Sequence, residues 1–341
     1  LGNEAGSGEC FKSMKKAAVI ADDTKKIHYE GDHKLDTSDV FSMMYAEVKT
    51  TKRILQNKTV RIAAMDVKPL GHRVSRKVHD SFPFVQCEYS HCIANSLGNF
   101  KEYIELFEAY DRSAGGFIWD FADQSILQKT ADGKDFWTYG GDFGDQPNDV
   151  NFCGNGIFAA DRSPHPAVHE VKWGYSPIKI TSPWQGILKI FNNRSFMGTD
   201  DLHLAWNATA DGITIDGGFV EYLDVEPLGN KELSLGMEKI HEHGEICLNV
   251  SVMYKRVPSW AKTAEVYKEQ FIYRQFEPEK IKKQSKFDSR IETLQDGICF
   301  RGLTAKMRMN FFRAPIDNEG LNVENFLKKK WFVDLLYGRK F

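Results

Sequence analysis

Little in these 341 residues would send the chain to a membrane, a nucleic acid or an oxidising compartment. No apolar run reaches the roughly eighteen residues of a membrane span, and no basic start is followed by an apolar core, so spans and a signal peptide are both unsupported. Charge of one sign is also lacking. The 45 basic and 47 acidic residues give a net charge of -2 without a long single-sign block, which argues against nucleic acid or an anionic membrane as the partner. A small neutral or polar substrate fits that balance better. Cys10, Cys87, Cys92, Cys153, Cys247 and Cys299 are scattered and form no C-x-x-C pair, so neither a zinc site nor a disulfide framework is indicated. They read as free thiols in a reducing compartment, the cytoplasm. Asn-x-Ser/Thr triplets at Asn57, Asn193, Asn207 and Asn249 carry little weight without a secretory route. No initiator methionine stands at Leu1, and the opening LGNEAGSG reads as a strand-to-helix loop that has been cut rather than begun.

What is present is apolar material enough for sizeable cores, 42% hydrophobic and 13% aromatic, and a length that predicts two or three domains. After the Gly-rich opening loop with Asn3 and Glu4, the spacing of Phe11, Met14, Ala18 and Ala21 predicts a helix. Strand signals follow at 27–30 (IHYE), 40–45 (VFSMMY), 84–85 and 115–120 (GGFIWD), with a first one near Leu1. A short helix is expected around 48–56, then a mobile surface loop containing Pro69 and Gly71. Asn95 to Gly98 punctuates the start of an amphipathic helix with Phe100, Tyr103, Ile104, Phe107 and Tyr110 along one side. Strands alternating with helices predict a parallel α/β sheet, and in a β/α barrel functional groups gather at strand C-terminal ends. Glu4, Tyr45, Glu88 and Trp119 all sit at such ends, and the count amounts to about half of an eight-unit barrel.

From about Pro177 the pattern changes to short alternating runs at 178–181, 187–191, 202–206, 218–223 and 246–254, separated by turns such as Asp211-Gly212 and Gly229-Asn230. These predict an antiparallel β-sandwich. The expected division is therefore α/β plus all-β: residues 1–176 as the second half of a (β/α)8 TIM barrel, 177–284 as an immunoglobulin-like sandwich, and 285–341 as the start of a further β domain.

Two glutamates at barrel strand ends suggest paired carboxylates, one donating a proton to a leaving oxygen and the other attacking a sugar carbon. From residue types alone, Glu4 and Glu88 read more readily as solvated loop acids. By the same standard His91 is a structural or surface histidine, Trp119 is core, and Asn148, Asn151 and Asn155 make Asx-turns. A tryptophan at a strand end can also present its apolar face to a hexose. The Gly-, Asp- and Asn-rich stretch 137–155, with interleaved aromatics, suits an ordered loop lining a polar pocket.

Five segments, GNEAGSG at 2–8, MMYAEV at 43–48, QCEYSHCIANSLGNF at 86–100, GGFIWDFADQSI at 115–126 and YGGDFGDQPNDVNFCGNGIFAADRSPHPAVHEVK at 139–172, resemble in this order the central region of the large bacterial-type β-galactosidases of glycoside hydrolase family 2. FFRAPIDN at 311–318 resembles a motif early in that family's last large β domain. The resemblance implies a retaining enzyme acting on terminal β-D-galactosides such as lactose. Glu88 would be the nucleophile and Glu4 the acid/base. It also implies that Asn3 holds the sugar 2-hydroxyl, Tyr45 sits against the nucleophile, His91 binds galactose hydroxyls and Trp119 forms the platform, with Asn148 on a neighbouring substrate loop. Glu4 matches a magnesium ligand, while the Phe152 carbonyl and the Asn155 side chain match a sodium site. The intact enzyme would be a homo-oligomer.

Two departures stand out: Ala94 occupies a position where glycine is common, and Ser7 one that is often aromatic or histidine. The remaining magnesium ligands, several substrate histidines, a sodium-binding aspartate and the early barrel strands would lie upstream of Leu1. Two other readings compete. Half a barrel leaves strand edges unpaired and a metal site incomplete, which suits a non-catalytic or complementing fragment. Another family 2 specificity, such as β-glucuronidase, would require basic residues facing a sugar carboxylate.

Overall fold

A computed structural model describes residues 1–6, 8–62, 72–94, 96–184, 186–237, 244–275, 291–294 and 297–300. They fall into two compact units that divide between Gly174 and Tyr175. The expected loop at Pro69 and Gly71, the FFRAPIDN motif, Ser7 and Asn95 lie outside the described residues.

In the first unit the opening loop runs into α1 (Glu9–Ala21), a helix with no buried residue. Its apolar spacing forms the helix but fills no core; Phe11 instead stacks on Tyr29 with ring centroids 4.2 Å apart. The strands expected near Leu1 and at 27–30 do not form. Ile27 and Tyr29 alternate inward as a strand would, yet their backbone is satisfied by the loop that follows. Ile27 N–H donates to Asp39 Oδ2 at 2.8 Å, Asp39 N–H donates back to the Ile27 carbonyl at 2.8 Å, and Tyr29 N–H donates to Ser38 Oγ at 3.0 Å.

Next come β1 (Phe41–Met44), α2 (Val48–Leu55), β2 (Val60–Ile62), β3 (His72–Val74), α3 (Arg76–His79), β4 (Phe84–Tyr89), α4 (Phe100–Ala109) and β5 (Ser113–Ile118). The strands β1, β4 and β5 form a parallel sheet in that order, so α2 and α4 are crossover helices between neighbouring strands. This is the predicted alternation, realised over three successive units. Two clusters bury the helices on the sheet. Phe41, Phe84, Ile54, Leu55 and Leu106 make one; Tyr89, Phe100, Tyr103, Ile104 and Val171 make the other. A hairpin that the sequence reading passed over, β6 (Leu127–Lys129) and β7 (Asp135–Trp137), precedes a largely irregular segment and α5 (Ala167–Gly174).

The second unit consists of β8 (Ile178–Trp184), β9 (Ile187–Asn192), β10 (Leu202–Ala210), β11 (Ile213–Val220), β12 (Asn230–Ser234), β13 (Gly244–Tyr254) and β14 (Glu265–Gln275), followed by the hairpin β15 (Ile291–Leu294) and β16 (Gly297–Phe300). The first seven form two antiparallel sheets, β11-β10-β13-β14 and β12-β9-β8. Buried residues alternate along the central strands, Leu188 and Ile190 on β9, Leu202 and Leu204 on β10, and Ile246, Leu248, Val250 and Val252 on β13, while β11 and β12 bury none. The Asp211-Gly212 turn joins β10 to β11 with both residues at positive φ, 47° and 83°, as a two-residue hairpin of primed type requires.

Candidate active site

The placement of Glu88 follows from an irregularity in β4. Gln86 is buried on the helix side, where its Nε2 donates to the Ala46 carbonyl at 2.7 Å and to Thr51 Oγ1 of α2 at 3.1 Å. Three residues on, Tyr89 is also buried against a helix, ringed by Phe100, Tyr103 and Phe107. Side chains alternate along a regular strand, so Gln86 and Tyr89 share a face only if one residue is extra. The pairing shows it, since Met43 lies opposite Gln86 but Met44 opposite Glu88. The bulge frees Glu88 from the face that Gln86 occupies. Burial pushes the thiol of the intervening Cys87 up to about 12, so it stays protonated.

Tyr45 closes on Glu88 twice: its N–H donates to the Glu88 carbonyl at 2.8 Å, and its phenol donates to Glu88 Oε2 at 2.7 Å. Tyr45 holds a left-handed φ of 48° to do so, as does Ser90 at 50°. The ring of His91 meets the Tyr45 ring edge-on at 5.7 Å and lies 5.3 Å from that of Phe152. Burial is the largest influence on Glu88 and holds its carboxyl above the usual range. The Tyr45 hydrogen bond opposes it, and the charges of Glu4, Glu30 and Asp120 add to it. Glu4, 84 positions away in sequence, is thus brought within electrostatic reach of Glu88.

Glu4 is exposed and left-handed, φ 48°, in a loop held by its backbone: Glu4 N–H donates to Glu30 Oε1 at 2.8 Å. Asn3 is exposed beside it. Beyond β5, Trp119 N–H donates to the Tyr89 carbonyl at 3.0 Å and Cys92 N–H to the Trp119 carbonyl at 2.7 Å, which fixes the half-buried Trp119 to the end of β4. Asp120 N–H then donates to the Asn155 carbonyl at 2.7 Å, and Ile157 N–H donates to the Asp120 carbonyl at 2.9 Å. Asp123 completes the fastening by accepting from Gly156 N–H at 2.8 Å and lying 3.0 Å from His165 Nε2. Asn148 orders its own loop, with Nδ2 donating to the Asp145 carbonyl at 2.9 Å and Oδ1 accepting from Val150 N–H at 3.2 Å.

Asn155 is buried; its Nδ2 donates to the Phe152 carbonyl at 3.0 Å, and its Oδ1 has no hydrogen-bond partner within the chain. An orphaned buried acceptor beside a carbonyl is a donor set that suits an oxygen-seeking cation. No group of three or more His, Cys, Asp or Glu among the described residues is arranged to hold a metal ion, so Glu4 stands alone as the magnesium ligand that the resemblance implies. Of the expected residues, Tyr45 and Glu88 are in direct contact, Glu4 acts on Glu88 through its charge, His91 joins them through Tyr45, and Trp119 is tied to Asn155 through the chain. Glu30 was not expected as a member of the site. It ends IHYE as Glu88 nearly ends its own strand, so the rule that picked Glu88 could have picked it.

Residues 1–180 match the family model described as the TIM barrel domain of glycosyl hydrolases family 2, and residues 188–274 match β-galactosidase domain 4. The chain belongs to glycosyl hydrolase family 2. Within the family its similarity runs to β-galactosidases. That of Priestia megaterium is 36% identical over 281 residues, covering 80% of this chain and 25% of the relative. Those of Photobacterium profundum (35% over 259 residues, 73% and 24%) and Pectobacterium atrosepticum (34% over 269, 77% and 25%) are comparable. The chain spans about a quarter of the length of these relatives. No helix among the described residues is long and apolar enough to cross a membrane.

Proposed function

We propose that the protein carrying this chain hydrolyses terminal non-reducing β-D-galactosides, lactose among them, by double displacement. A carboxylate oxygen of Glu88 attacks the anomeric carbon while Glu4 gives its proton to the departing aglycone oxygen, leaving a galactosyl ester on Glu88. Glu4 then takes a proton from water, whose oxygen attacks the anomeric carbon, and the Glu88 carboxylate is released. The observation that carries the reading is the Tyr45 phenol donating to a half-buried Glu88 within the field of Glu4. The acidic groups acting on Glu88 also favour a neutral galactoside over a uronic acid, whose carboxylate they would repel.

In this reading Asn3 and His91 contact sugar hydroxyls, Trp119 stacks under the ring and Asn148 shapes the adjoining loop. The Phe152 carbonyl and Asn155 Oδ1 would hold sodium, which when bound supplies a positive pole for sugar oxygens. Glu4 would also be one ligand of a magnesium ion. Residues 1–176, 177–284 and 285–341 would be the barrel half, the immunoglobulin-like sandwich and the start of the next β domain of a cytoplasmic homo-oligomer.

Replacing Glu88 by Gln in the intact protein is expected to abolish both turnover of a chromogenic galactoside and covalent trapping by a 2-fluoro galactoside. Survival of both overturns the proposal.

A further inference from the structure

Two adjacent side chains hold the loop that carries Glu4. Glu30 Oε1 accepts from Glu4 N–H at 2.8 Å, while the Tyr29 hydroxyl accepts from Ala5 N–H at 3.1 Å and donates to the Gly6 carbonyl. Three successive backbone groups are thereby fixed from one side. Tyr29 is itself immobilised, 2% exposed and stacked on Phe11 of α1. Space for its hydroxyl depends on Gly31, because a Cβ there would lie 2.6 Å from the Tyr29 oxygen.

The restraint has work to do. A non-glycine residue in the left-handed region, as Glu4 is, is strained and persists only where surroundings impose it. No sheet ladder holds residues 1–6; the Leu1 amino group donates to the His28 carbonyl at 2.8 Å, and Tyr29 and Glu30 are the neighbours that bond the stretch from Glu4 to Gly6.

We infer that Tyr29 and Glu30 are positioning residues for Glu4, aiming its carboxyl at the glycosidic oxygen by clamping the loop backbone from Glu4 to Gly6. The inference rests on the reading of Glu4 as the acid/base. It requires that losing the clamp damage proton donation selectively, with attack by Glu88 left intact.

The test compares kcat/KM for an alkyl galactoside, whose poor leaving group needs a proton, with that for an aryl galactoside bearing an activated nitrophenol, which needs little help. Glu30→Ala is expected to lower the alkyl value by about 100-fold, the scale of a misplacement of about 1 Å, and the activated aryl value by less than about fivefold. Glu30→Gln keeps an acceptor oxygen for Glu4 N–H and is expected to restore most of the alkyl activity. Tyr29→Phe keeps the stacked ring and is expected to split the two substrates in the same sense. It also serves as the readout if Glu30→Ala does not fold.

Equal losses on both substrates, no loss on either, or failure of Gln to restore activity overturns the inference. Glu4→Ala and Glu88→Gln run alongside. If Glu4→Ala splits the substrates and the clamp variants do not, the inference alone fails; if Glu88→Gln retains turnover, the functional reading fails first.

Discussion

Replacing Tyr45 by Phe removes one hydroxyl and leaves the ring that meets His91. What is lost is the donor 2.7 Å from Glu88 Oε2. A hydrogen bond to a charged acceptor contributes about 1.5–3 kcal/mol, and Tyr45 is 40% exposed, so the lower end applies. About 1.5 kcal/mol is about one pH unit, so on the acid limb, where the ionised fraction of Glu88 sets the rate, kcat/KM falls roughly tenfold. The pH profile gives the sign. Glu88 must be ionised to attack, burial already holds its pKa above the ordinary carboxylate value, and the Tyr45 hydrogen bond works against that rise. Without it the pKa climbs further, so the acid limb of kcat/KM moves to higher pH, and trapping by a 2-fluoro galactoside slows by a similar factor. A folded Tyr45→Phe variant with an unmoved acid limb and an unchanged trapping rate refutes the reasoning.

Three other substitutions follow from the geometry. Ala94 has a φ of 55°, where glycine fits without strain, so Ala94→Gly is expected to raise stability by up to about 1 kcal/mol in urea unfolding; destabilisation would contradict this. A Cβ at Gly156 would fall on the backbone of Ala122 and Asp123, so Gly156→Ala is expected to cost at least about 2 kcal/mol and to lower activity by displacing Asn155, measured by melting and by turnover. The Arg112 guanidinium donates to the carbonyls of Phe82 at 2.6 Å and Ile54 at 2.5 Å and to Asn57 Oδ1 at 2.9 Å, tying the C-terminal end of α2 and the turn after it to the segment that precedes β4. Arg112→Met leaves those acceptors unmatched and is expected to cost about 3 kcal/mol in the same unfolding measurement, with near-neutral stability as the contrary result.

Where burial and pairing coincide, the sequence was a good guide. The runs at β1, β4 and β5 and the three-to-four spacing of Phe100, Tyr103 and Ile104 emerge as a parallel sheet with its crossover helices. Where they part, it was not. Ile27 and Tyr29 alternate inward and so resemble a strand, but periodicity encodes burial rather than a hydrogen-bonding neighbour. Phe11 and Met14 show helical spacing on a helix that buries neither. β12 is polar and exposed and β14 carries charges at its outward positions, so neither stood out as a strand. The small β6–β7 hairpin had a signal in Asp132-Gly133, but its three-residue strands are too short for alternation to register. At the site, strand ends marked Glu88, Tyr45 and Trp119 as candidates, and the resemblance to family motifs supplied the roles expected of them. The bulge at Cys87 and the reach of Glu30 to Glu4 are contacts between distant segments, which spacing along the chain does not record.

The fastening of Asp120 to both Asn155 and Ile157 makes Trp119 and the Phe152–Asn155 turn a single mechanical piece. Substitutions at its two ends should therefore not behave as independent perturbations. In a double-mutant cycle, damage at Asn155 would already include part of the damage at Trp119, so the combined loss would fall short of the sum. Energetic credit between Trp119 and Asn155 belongs to the piece and cannot be divided residue by residue.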